Sequence, residues 1–261
     1  DWKTEHFPDL VRLTNEGVIG VYNEMVLGAD RETPYERIEI HGTNSAAAHR
    51  YQADTIVNAG LITSGRIFRF DTNIFFDTPL GPVELYADAA SFDGGRIQSG
   101  GDLVISANTL KMRSSTNTAA REIVLDVVDS ISDIGGGAAV RFETPQGVRM
   151  TRKPTRGDIL GTAIALSASR WQLVSSVWAA EDRGASAAGF ENNVALGRLV
   201  IAPQQDALIE LRGLDGQNGL YVDYLEIGPT AMADLENTLT IDPSLTVYFA
   251  DANMDIGTLT N

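Results

Sequence analysis

Apolar residues in this chain fall in short runs, mostly of four to eight, separated by Gly, Pro, Asn or Ser. The densest stretch, residues 54–134, reads DTIVN, GRIFRF, NIFF, VELYAD, GRIQS, DLVIS, TLKM and REIVLDVVDSISDI. Apolar and polar positions alternate within several of them, as strands require, and no run of helical length lies between. A βαβ fold needs a helix of about ten residues or more after each strand, so that class is excluded. A solenoid, a sandwich or a barrel remains.

A repeated phrase favours the solenoid. NAGLITSGRIFRFDTNIFF (58–76) aligns without a gap on DGGRIQSGGDLVISANTLK (93–111), an offset of 35 residues. The alignment matches Gly60 with Gly95, Ile62 with Ile97, Ser64 with Ser99 and Gly65 with Gly100. It goes on to match Phe68 with Leu103, Phe70 with Ile105, Asn73 with Asn108 and Phe75 with Leu110. A fainter copy, NEGVIG, begins at Asn15. Turn residues and apolar residues recurring in one order are what stacked coils need, since a coil buries its inward side chains only against the next. The expected fold is therefore all-β, a right-handed parallel β-helix.

Three regions are expected. Residues 1–14, with weak helical spacing broken by Pro8, form a lead-in or cap; residues 15–137 form the solenoid and end at Gly135-Gly136-Gly137. Residues 138–261 form a second β-rich region, which either continues the solenoid or packs as a separate sandwich-like domain. Early in this second region lies RMTRKPTR (149–156), a basic patch in an acidic chain. It reads as a solvated loop in which Pro154 stops a strand, or as a set of partners for nearby carboxylates.

Charge and composition narrow the function. A formal net charge of −15 argues against nucleic acid or an anionic membrane as partner. With no cysteine there is no disulfide framework and no thiolate site. No apolar run approaches the roughly 20 residues that span a bilayer. The chain opens at Asp1 without an initiator Met and stops at Asn261 in mid-pattern, so both ends read as cut.

Candidate chemistry is sparse. Three histidines, His6, His41 and His49, are the available bases, and GASAAG (184–189) has one residue too many for a nucleophile elbow. The Gly135–137 run lacks the spacing of a phosphate loop. Asp251, Asn253 and Asp255 occupy the first, third and fifth positions of a calcium-loop pattern, although the glycine comes one position late. Asp71, Asp77, Asp88 and Asp93, near Arg66, Arg69 and Arg96, are the carboxylates that adjacent coils could bring together as general acid and base. Tyr221 and Tyr224, with Trp171 or Trp178, could stack on a sugar. The two tryptophans are seven residues apart and so fall on opposite faces of a continuous strand, one buried and one exposed.

Several phrases carry a resemblance. AAGFENNVALGRLVI (187–201), NGLYVDYLEI (218–227) and LTIDPSLTVYFADAN (239–253), with GDILGT and WAAEDRGA, resemble segments of very long secreted surface proteins of verrucomicrobial and planctomycete-type bacteria. The N-x-G-x-I phrases of the first half resemble, more loosely, the filamentous-haemagglutinin and autotransporter-passenger class of right-handed β-helices. The resemblance implies an extracellular, cell-surface location and an extended architecture, and carries no catalytic residues. The expected function is a non-enzymatic structural or adhesive segment whose partners are other copies, other segments of its own long chain, or surface glycans. The alternatives are a carbohydrate-active β-helix enzyme, a lyase or hydrolase, and a carbohydrate-binding module.

Overall fold

The computed structural model describes residues 12–21, 24–28, 35–68, 75–77, 81–134 and 139–254. It is an all-β, right-handed parallel β-helix. The ladder can be followed through a single column of partners: Ile19, Asn44, Ile62, Ile97, Asn117, Phe142, Ile164, Leu199, Leu225 and Ala252. Ten rungs about 4.8 Å apart make a rod roughly 43 Å long. Strand Val140–Thr144 pairs with both Thr116–Ala119 and Arg156–Ala168, so the ladder runs on into the second half of the chain. Strand Arg12–Asn15 belongs to the first rung.

Over residues 83–123 each coil takes 20 residues, whereas the other coils along that column take 18 to 35. Val83 pairs with Leu103 and Leu103 with Ile123, while Arg96 pairs with Thr116. Each coil is one long strand bent near its middle, such as Val83–Asp93 or Leu103–Arg113, followed by a short one, such as Arg96–Ser99 or Thr116–Ala119. Inward positions fill a shared core. Met25, His49, Val83, Leu103, Ile123 and Val148 make one stack; Leu27, Tyr51, Leu85, Ile105, Leu125 and Met150 make the next. Each fully buried Ile, Leu or Val contributes about 1.5–3 kcal/mol, and an incomplete coil would forfeit it.

The 35-residue offset is a 20-residue coil plus a 15-residue insertion. Ile62 and Ile97 are ladder partners and both fully buried, as the repeated phrase predicts. After Gly65 the alignment fails. Gly65 and Gly81 donate their N–H groups to the successive carbonyls of Ala46 and Ala47, so the chain is on the coil at Gly65 and again, one position further, at Gly81. Within the insertion Phe68 pairs antiparallel with Phe75, whereas their supposed counterparts Leu103 and Leu110 lie in the ladder opposite Val83 and Ala90. Phe70 and Asn73 lie outside the described residues, and Asn108 sits at an exposed bend rather than in a matched turn. An apolar hairpin mimics a coil in a one-dimensional alignment because strand periodicity is the same in both.

The N-x-G-x-I phrase has a direct physical basis. Asn15 and Asn58 accept the N–H of Gly17 and Gly60 through their side-chain oxygens, at 2.9 and 3.2 Å, which closes the turn. A Cβ on Gly60 would stand 2.1 Å from the carbonyl oxygen of Gly42, one coil away. Glycine is required there because two turns touch.

Candidate functional site

Of the carboxylates singled out in the sequence, the two whose side chains are described, Asp88 and Asp93, do not meet. Asp88 and Asp93 lie five positions apart on one strand, roughly 16 Å along it. Asp88 accepts from the Asn108 amide at 3.1 Å. Asp93 is paired with Arg113 of the next coil, Nε to Oδ1 2.7 Å, and that guanidinium holds its carboxyl below the usual range. Arg66 and Asp77 face each other as backbone partners in the inserted hairpin. Asp71 and Arg69 lie outside the described residues.

Asp54, Asp88 and Asn108 stack at the bend of the long strands, next to Gln52, Tyr86 and Ser106, and open onto a groove of about 310 Å³. Burial raises the Tyr86 hydroxyl pKa above its ordinary value. The groove offers acceptors and a phenol on a floor of Ala53, Ala87 and Ala107, with no arginine among its lining residues. It can receive hydroxyls but lacks the cation that would neutralise a sugar acid.

At the C-terminal rung, Asn253 uses both ends of its amide on the backbone of Ile227. It accepts the Ile227 N–H at 2.8 Å and donates to its carbonyl at 2.9 Å, imitating one more residue of strand. Asp251 accepts the N–H of Ala252 at 2.8 Å. Asp255 lies outside the described residues. Among the described residues no group of three or more His, Asp or Glu side chains is placed to share a metal ion.

The aromatic candidates part company. Tyr221 is fully buried, stacked on Tyr248 with centroids 4.7 Å apart and met edge-on by Phe190. Tyr224 lies near the guanidinium of Arg198, 5.6 Å from ring centroid to carbon. Trp178 is buried, its indole N–H donated to the Val194 carbonyl at 3.0 Å. Trp171 is exposed, but it sits in the turn before strand Leu173–Trp178 rather than within a continuous strand.

Three of the four cations in the basic patch are spent on carboxylates. Arg149 makes two 2.9 Å bonds to Glu122, Arg152 meets Asp126, and Lys153 meets Glu181. Similar pairs link neighbouring coils elsewhere, Arg50 with Glu84 at 2.7 Å and Arg170 with Asp206 at 2.7 Å. His41 faces Glu39 at the surface at 3.3 Å.

His49 belongs to a network that sequence reading missed. Asn15 donates to Asn44 at 2.6 Å, Asn44 to the Tyr51 hydroxyl at 2.9 Å, and the hydroxyl lies 2.8 Å from His49 Nδ1. His49 Nε2 lies 2.8 Å from the Thr63 carbonyl. All four side chains lie in the interior of the first coils. The only signal in the sequence was polar residues at positions whose ladder partners are apolar.

Fold and surface together define a parallel β-helix in which most of the salt bridges among the described residues run between adjacent coils. No family model matches the chain, and neither does any curated protein or any solved structure. Among the described residues no helix is long and apolar enough to cross a membrane.

Proposed function

We infer that this protein is a structural scaffold of the bacterial cell surface, working as a stiff rod that holds surfaces or other copies of itself at a distance. One observation carries this reading: carboxylates spaced along the rod are committed to arginines of the neighbouring coil. Asp93 to Arg113, Glu122 to Arg149 and Glu84 to Arg50 each bridge adjacent rungs. Such pairs, together with the core columns, add stability coil by coil and suit an object whose work is its length. The extracellular location rests on the resemblance of the second-half phrases.

Electron microscopy of the native material tests it. Rods or fibres with a regular axial repeat are the expected result. Isolated particles that cleave a polysaccharide, with cleavage abolished by Asp88→Asn or Asp93→Asn, would replace the scaffold with an enzyme.

A further inference from the structure

Two turns on the later coils carry features that neither ladder nor core requires. Residues 169–172 join strand Arg156–Ala168 to strand Leu173–Trp178, and residues 204–207 make the corresponding turn one coil on. Trp171 and Asp206, one in each turn, both have left-handed backbone, φ +66° and +61°. That conformation costs a bulky L residue about 1–2 kcal/mol. It is held by hydrogen bonds: Trp171 N–H to the Asp206 carbonyl at 3.2 Å, and Gln172 N–H to the Ser169 carbonyl at 3.0 Å.

The strain presents an aromatic face. The Arg170 guanidinium lies over the Trp171 ring at 4.7 Å and is fixed by Asp206. Yet Trp171 remains 74% exposed. A ring covered on one face and still three-quarters accessible has its other face in water.

Oriented polar groups surround it. Gln172 accepts the Ser169 N–H at 3.1 Å and Gln204 accepts the Arg170 N–H at 3.2 Å, both through the side-chain oxygen. Their NH2 groups are therefore turned away from the backbone as free-facing donors. On the other side of Asp206 opens a polar crevice of about 400 Å³, lined by Gln205, Thr230, Asp234 and Asn237 among others. That volume suits a small ligand.

We propose that this corner of the rod binds a neutral glycan. One pyranose lays its C–H face on Trp171, and the next places its hydroxyls among Asp206, Gln205 and Asn237. Hydroxyls both donate and accept, which matches a site offering amide donors beside carboxylate acceptors. A preformed turn loses little entropy on binding. The chain's net charge of −15 disfavours anionic polysaccharides. The inference names a partner for the surface scaffold proposed above, but a rod without glycan binding and a glycan binder without rods remain distinguishable outcomes.

The test titrates the whole chain with cello-, xylo-, chito- and malto-hexaose, following tryptophan emission and heat of binding. At least one sugar is expected to give a saturable blue shift. Trp171→Gly removes the ring and relieves the left-handed strain, so it should melt no lower than the parent while binding about tenfold more weakly or worse. Gln205→Ala should weaken binding with the same stability. No response to any of the four sugars at millimolar concentration, or an unchanged affinity in Trp171→Gly, overturns the proposal. So does equal binding of polygalacturonate, and so does self-association in sedimentation that Trp171→Gly abolishes, which would make the ring a contact between copies.

Discussion

The hydroxyl of Tyr51 hydrogen-bonds to Nδ1 of His49 at 2.8 Å, inside the solenoid. His49 Nε2 faces the Thr63 carbonyl, which can only accept, so Nε2 carries a hydrogen; burial favours the neutral ring, whose Nδ1 then accepts from the Tyr51 hydroxyl. Burial holds its pKa down to about 4, against an ordinary value of 6.5. The unfolded chain thus takes up a proton near pH 6.5 and the folded one only near pH 4. The stability tied to a neutral His49 is complete above pH 6.5 and is lost as pH falls toward 4, by up to about 3 kcal/mol. Denaturant melts across that window should show the loss, and His49→Gln should flatten the slope relative to the parent, which separates this residue from the carboxylates titrating beside it.

Tyr51→Phe is expected to destabilise by about 1–3 kcal/mol, because Asn44 loses an acceptor and His49 a donor without solvent to replace either. Tyr51→Phe combined with His49→Leu should cost less than the two single changes added together. A thermodynamic cycle built from chemical melts measures the coupling, and strict additivity would mean that the network does not act as one unit.

Two glycines should respond differently to alanine. At Gly60 the added methyl meets the Gly42 carbonyl oxygen at 2.1 Å, so two coils must separate and the cost should be about 3 kcal/mol or more. At Gly94, φ +71°, nothing lies within 4 Å of the methyl, and the left-handed backbone alone should cost about 1–2 kcal/mol. Thermal melts of the two variants rank them.

Removal of residues 66–80, joining Gly65 to Gly81, is expected to leave a folded β-helix with one cooperative transition. The two glycines already bind successive carbonyls of the coil beneath, and Ser64 Oγ donates to the Gly81 carbonyl at 2.7 Å as Ser99 Oγ does to Asp102. Circular dichroism and a melt decide it; loss of the β spectrum would show that the insertion supports the coil.

Asn253→Asp distinguishes a strand mimic from a cation ligand. A carboxylate cannot donate to the Ile227 carbonyl, so the last rung should lose about 1–3 kcal/mol. If Asp251, Asn253 and Asp255 gathered around calcium, the added carboxylate would instead raise stability in calcium and leave it sensitive to chelator. Melts with calcium and with EDTA separate the two.

Much of the architecture was legible in the chain itself. Short alternating strands, N-x-G-x-I turns and the partnership of Ile62 with Ile97 follow from rules that act over a few residues: inward side chains every second position, an Asn that closes a turn, a Gly where turns touch. The coil length was obscured because it is 20 residues only from Val83 to Ile123, and because residues 66–80 bring one coil to 35 with the same apolar alternation as the coils. Asp93 and Arg113 do sit 20 positions apart, but a 20-residue partnership has meaning only when the coil length is known.

Local spacing determined which residues point inward and where the chain turns. Tertiary structure alone decided what each side chain meets across the 4.8 Å gap between rungs: Asn15 facing Asn44, Asp93 facing Arg113, Trp171 held out by Asp206. Those contacts depend on how many residues each coil spends before it returns, a quantity set by the packing of the whole solenoid and not by any short stretch of sequence.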